Sequence, residues 1–201
     1  MAKPTQKRDL LSSFPATLRQ STQYPNIIYT RAPGLYALQS PGRAGTRESA
    51  PVAAGTASTL KTPKALLSVT GDGGEIRVYK GAPVAGVSRT RESLSSDVLL
   101  AVYERAGADV SQGGAGGLAV PTGRVFVRFA DAIKIETRAD ELRDLGYRIT
   151  QMLSYAPNAG WLEAIDGADS ALQNIVSVEK LRDVVNVEPQ LLSPRESKSM
   201  P

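Results

Sequence analysis

Between Gly123 and Ala130 the chain reads Gly-Arg-Val-Phe-Val-Arg-Phe-Ala, and no other stretch limits the possible folds as tightly. Val125, Val127 and Phe129 alternate with Arg124, Phe126 and Arg128. That period of two belongs to a strand with one face in a core and the other facing out. Such a strand needs partners for its backbone and an apolar layer for one side.

Residues 131–192 supply both. Thr137 with Asp140 three positions on resembles a capping box with Asp in place of Glu or Gln. Ala139, Leu142 and Leu145 come next at helical spacing, and Gly146 is a natural stop. Arg148–Tyr155 and Trp161–Ile165 read as two strands of a hairpin, turned at Pro157-Asn158-Ala159-Gly160 and closed at Asp166-Gly167. Asp169-Ser170 can cap a second helix, with Leu172, Ile175, Val176, Leu181 and Val184 on its apolar side. Val185–Glu188 reads as a fourth strand, which Pro189 confines to an edge or an end.

The expected fold class is therefore α+β. A ferredoxin-like βαββαβ module spans residues 118–192, an antiparallel four-stranded sheet with both helices on one face and the other face open. Residues 63–117 read as a β-rich extension. In it Ala65–Val69, Glu75–Tyr79 (Ile76 and Val78 on one face) and Asp97–Glu104 are strand-like, with a turn at Gly71-Asp72-Gly73-Gly74. The run Gly113–Gly117 lacks the Lys-Ser/Thr that completes a phosphate-binding loop, so it reads as a connecting loop. Residues 1–62 are rich in Ser, Thr, Pro, Gly, Ala and Arg, and read as a flexible basic segment with Arg43–Thr62 as its linker; Ile27-Ile28-Tyr29 is either one strand or an adhesive patch. Residues 193–201 read as an extended tail.

Charge and composition remove several function classes. Residues 1–62 hold eight Lys/Arg against Asp9 and Glu48, a net +6 within a chain total of +4, which leaves the other 139 residues at −2. The positive charge thus lies on the leading segment, whereas a nucleic-acid surface needs it on a structured face. With no Cys and no His there is no disulfide framework, no usual zinc ligand set and no imidazole base; no metal or cofactor is expected, and the chain is not expected to be an enzyme. No run approaches the roughly 20 apolar residues of a membrane span, and the N-terminus lacks the apolar core of an export signal. A cytoplasmic protein is expected as written, and a secreted one if a signal was removed.

Three strings, in this order and spacing, resemble the pro-domains of subtilisin-like serine proteases: PTGRVFVRFAD (Pro121–Asp131), YAPNAGWLEAIDG (Tyr155–Gly167) and VSVEKLRDVVNVEPQLL (Val176–Leu192). The resemblance covers about residues 118–195. It implies a domain whose open sheet face packs on two helices of a catalytic domain, in cis or in trans, assists that domain's folding and blocks its substrate cleft. Glu188 matches the acidic residue that caps the helix N-termini, where unpaired N–H groups favour negative charge. Gln190, Leu191, Leu192 and Ser193 match the start of the segment that enters the cleft as an added strand.

The residues themselves leave alternatives. Phe126 and Arg128 line one strand face and are candidates for contact. Trp161 is a candidate for the same partner contact, since Trp is enriched at contact hot spots, with the module's own core as the favoured other place for it. Asp140, Glu141 and Asp144 read as a solvated helix face. The alternative to a protease partner is a nucleic-acid-binding or protein-assembly module of the same fold. Nucleic acid is disfavoured by the net negative folded part and by Glu163 on the third strand.

Overall fold

The computed structural model describes residues 10–41, 64–71, 74–83, 97–107 and 117–193. The readings placed on Arg43–Thr62 and on Gly113–Gly116 fall outside these residues. Among the described residues there are nine strands: β1 (Thr17–Arg19), β2 (Ile28–Pro41), β3 (Leu67–Gly71), β4 (Gly74–Lys80), β5 (Val98–Arg105), β6 (Leu118–Phe129), β7 (Tyr147–Leu153), β8 (Ala156–Ala164) and β9 (Val184–Leu192). The same residues form two short helices, α1 (Ala139–Asp144) and α2 (Ala168–Glu179), and a 3-10 turn at Ile135–Arg138.

This architecture corrects the expected four-stranded ferredoxin-like module. The strands form one antiparallel sheet in the order β3-β4-β2-β5-β6-β8-β7, with β1 added to β2 and β9 added to β6. The cause lies in β6, which starts at Leu118, well before the alternating stretch. Along one edge its first residues pair with β5 (Tyr103 with Ala119, Glu104 with Leu118) and its later residues, Arg124 to Arg128, with β8, while β9 pairs along the other edge from Val120 to Phe129. Through β5 and β6 the sheet runs on from the β-rich extension into residues 118–192.

The leading segment is corrected as well, for residues 10–41. β2 lies inside the sheet, bonded to β4 along one edge and to β5 along the other. Pro33 and Gly34 interrupt its pattern at an irregularity between Arg31 and Tyr36, where Gly34 adopts φ +70. A bulge accepts a Pro without an N–H and a Gly in the left-handed region, so the strand continues past both.

Two cores result. In the first, β5 is buried on both faces from Val98 to Tyr103, with Leu11, Phe14, Leu18, Ile76, Val78 and Leu172 among its neighbours. The Tyr103 hydroxyl donates to the Pro15 carbonyl at 2.7 Å, tying the leading segment to that core. In the second, Val125, Val127 and Phe129 pack with Leu142, Tyr147, Leu162, Ile175, Val178 and Val187. Helix α2 touches both, Ala168 and Leu172 joining the first core and Ala171, Ile175 and Val178 the second.

Local readings shift for physical reasons. Thr137 caps no helix: it sits within the 3-10 turn, its hydroxyl donating to the Lys134 carbonyl at 2.7 Å, and α1 starts after Arg138 with no side-chain cap. Gly146 does end α1, at φ +84 with its N–H on the Arg143 carbonyl. Pro157-Asn158-Ala159-Gly160 is strand β8 and not a turn; the chain reverses at Ser154-Tyr155. Gly160 serves packing, since a Cβ there would lie 2.6 Å from the Gln151 carbonyl oxygen and 3.0 Å from Ile135 Cδ1. Val176 points outward on α2, and Val178 takes the buried place.

Gly123 is the joint of β6. It has φ +81, and a Cβ would lie 2.7 Å from Ala168 Cβ and 2.8 Å from Ala168 Cα. Beside it the β6–β9 register slips between Pro121 and Val125. Gly123→Ala therefore combines left-handed strain with a clash against α2, and is expected to cost about 3 kcal/mol in urea unfolding. Gly34→Ala, with φ +70 but open space around it, is expected to cost about 1 kcal/mol. Equal costs for the two variants would show that close packing at Gly123 has no consequence.

Burial also sets an alkaline limit. Tyr147 is fully buried and its hydroxyl donates to the Ala171 carbonyl; burial raises its pKa well above the ordinary 10.0, and burial does the same at Tyr103. The folded pKa exceeds the unfolded one, so this contribution is complete below pH 10 and declines as pH rises beyond it. Unfolding free energy measured from pH 7 to 11 is expected to stay level and then fall above about pH 10. In Tyr147→Phe that fall should be smaller; an unchanged slope would contradict the assignment.

Candidate docking face

The strand pairings decide which side chains share the face that α1 and α2 leave uncovered. Residues directly opposite one another in an antiparallel pair project to the same side. Phe126 faces Trp161 on β8 and Glu188 on β9; Arg128 faces Ala159 and Asn186; Arg124 faces Glu163, which in turn faces Arg148 on β7. The alternate set, Val125 with Leu162 and Val127 with Gly160 and Val187, turns toward the helices and is buried. Neither Phe126 nor Trp161 belongs to either core.

Trp161 is thus corrected from core to face. Its ring meets Phe126 edge to face at 5.5 Å between centroids, and the Arg124 guanidinium lies 5.2 Å above it. Both arrangements suit the negative face and positive edge of an aromatic ring. Phe126 and Trp161 are half-buried against each other and their neighbours, while Arg128 is exposed.

The charges around this pair are balanced. Arg128 bridges to Asp131 at 3.0 Å and Arg148 to Glu163 at 3.0 Å. Glu188 accepts a hydrogen bond at 2.6 Å from Asn186, which is buried. Toward the β7–β8 turn the face continues into a shallow groove lined by Phe126, Arg128, Leu153, Tyr155 and Ala159. Tyr155 is 83% exposed at its rim, the most exposed large hydrophobic side chain among the described residues. Sequence reading does not single out Tyr155 or Leu153, because it sets the turn at Pro157–Gly160 and leaves both inside a strand.

Gln190, Leu191 and Leu192 are not a free tail. They close β9: Leu191 and Leu192 pair with Pro121 and Val120, and both pack against the first core. Leu192 also fills the space beside Gly71, where a Cβ would meet its Cδ1 at 2.7 Å. Thr122 holds Gln190 through its hydroxyl at 2.6 Å. Of the described residues only Ser193 lies past the strand, and residues 194–201 are outside the described part.

Asp140 and Glu141 form ion pairs with Arg143 and Arg138 on the exposed side of α1. Among the described residues there is no group of three or more side chains that could hold a metal, and no helix is long and apolar enough to cross a membrane. Comparison with protein families, with curated proteins and with solved structures gave no match.

The two faces of β6 should respond differently to truncation. Val127→Ala is expected to cost about 2 kcal/mol or more, whereas Phe126→Ala on the open face should cost about 1 kcal/mol or less. Equal losses in chemical unfolding would mean that the aromatic face is a core.

Proposed function

We propose that this chain is a protein-binding module that docks its aromatic sheet face on the catalytic domain of a subtilisin-like serine protease, assisting that domain's folding and holding it inactive. The observation that carries the reading is the pairing of Phe126 and Trp161 on a sheet face that the helices leave uncovered. A half-buried aromatic pair ringed by charges has the make-up of a contact hot spot with a polar rim. Glu188 lies in the same cross-strand row, where its carboxylate could meet the N-terminal N–H groups of a partner helix. The choice of partner rests on the resemblance of Pro121–Asp131, Tyr155–Gly167 and Val176–Leu192 to such pro-domains. In this reading the cleft-directed segment begins at Ser193, because Gln190, Leu191 and Leu192 are engaged in the chain's own sheet.

One observation favours a second reading. Phe126 and Trp161 stand on adjacent strands, as in sheets that stack single-stranded RNA bases. Against it, Asp131, Glu163 and Glu188 offset Arg124, Arg128 and Arg148, leaving no net positive field on this face.

The test is binding of the purified chain to the active-site-blocked catalytic domain of a subtilisin-like protease by calorimetry, with inhibition measured on the unblocked enzyme. Phe126→Ala/Trp161→Ala should weaken binding by about tenfold or more while the fold is kept. No complex with such a domain, or one indifferent to both aromatics, would reject the proposal; tight binding of single-stranded RNA would favour the second reading.

A further inference from the structure

Thr22 lies on the outer edge of β9, 165 residues away in sequence from the strand it contacts. Its N–H donates to the Val187 carbonyl at 3.1 Å, and its hydroxyl accepts the Val187 N–H at 2.9 Å. With that lone pair engaged, the hydroxyl proton goes to Asn186 Oδ1 at 2.8 Å. Asn186 is 4% exposed, and its Nδ2 donates to Glu188 Oε1 at 2.6 Å. The reverse orientation of the amide would set its oxygen against a carboxylate oxygen with no proton between them. The chain of donors therefore has one direction, from Val187 N–H through Thr22 and Asn186 to Glu188.

We infer that Thr22 and Asn186 are positioning residues that fix the Glu188 carboxylate on the docking face, so that the leading segment tunes the affinity of a surface it does not itself form. This rests on the docking reading above for its consequence in binding. One carboxylate oxygen is held by Asn186, and the other has no hydrogen-bond partner among the described residues, which leaves it for donors on a partner. Pre-setting a long acidic side chain removes part of the ordering cost of association. The leading segment is further clasped by Arg19 to Glu179 and by Gln173 to the Ser13 carbonyl, so the chain before Thr22 is anchored on α2.

The experiment combines Thr22→Val, Thr22→Ser, Glu188→Ala and the Thr22→Val/Glu188→Ala double variant. Each is titrated against the blocked catalytic domain of a subtilisin-like protease, and the Asn186 side-chain amide is monitored by NMR in the free chain. Thr22→Val should weaken binding about fivefold, Thr22→Ser should restore it, and Thr22→Val should add nothing once Glu188 is Ala. The Asn186 amide protons should move in Thr22→Val and in Glu188→Ala. Fully additive binding losses, or an Asn186 amide unmoved by Thr22→Val, would overturn the inference. Absence of binding by the unmodified chain would instead reject the docking reading, and the amide resonances alone would then decide whether Thr22 sets Glu188.

Discussion

Strand β6 has to satisfy three neighbours at once, and the geometry at Gly123 is what allows it. Before the glycine, Leu118 and Ala119 bond to β5. After it, Arg124 to Arg128 bond to β8 in place of β5, while β9, paired with Val120 and Pro121 along the other edge, resumes at Val125 after a register shift. A regular strand cannot change its neighbours and direction within so few residues without a bulge or a left-handed residue. Gly123 supplies the positive φ, and its missing side chain lets Ala168 at the start of α2 approach the backbone. One residue thus joins two cores and seats the helix that spans them.

That joint also makes the sheet asymmetric. Helices α1 and α2 are placed against Val125, Val127 and Phe129, and with them the apolar half of the alternation is spent. The opposite half, Arg124, Phe126 and Arg128, receives no helix from the described residues. Its aromatics pack on each other and its charges pair locally, which keeps the face stable without closing it. The edge of β9 beside this face is held by Thr22. The hydrogen-bond requirement of that edge is therefore what links the leading segment to the candidate site.

How much is legible in the sequence depends on how local each determinant is. The alternation of Gly123–Ala130, the apolar run that forms β5, and Ile76 with Val78 in β4 mark strands directly, and the strands lie where those signals are clear. β2 is hidden because Pro33 and Gly34 are turn signals everywhere except at a bulge. The hairpin turn is hidden for the same kind of reason: Asn158 is used to bond the Phe129 carbonyl, and Gly160 to admit a neighbouring carbonyl. The side of the sheet on which Trp161 falls has no local signature, because it is fixed by cross-strand register with Phe126 and not by neighbours in sequence. The link from Thr22 to Asn186 crosses 164 positions and leaves no local pattern either.

If β6 plays this part, the two cores open as one cooperative body. Native-state hydrogen exchange in low denaturant tests it most directly, by comparing the slowest amides of β5 with those of β8. With β6 uniting the sheet, both sets exchange through the same global opening and their free energies agree within about 0.5 kcal/mol, with the same denaturant slope. Two sets whose free energies differ widely, with β8 still protected after β5 has opened, would show two independent units and would contradict it.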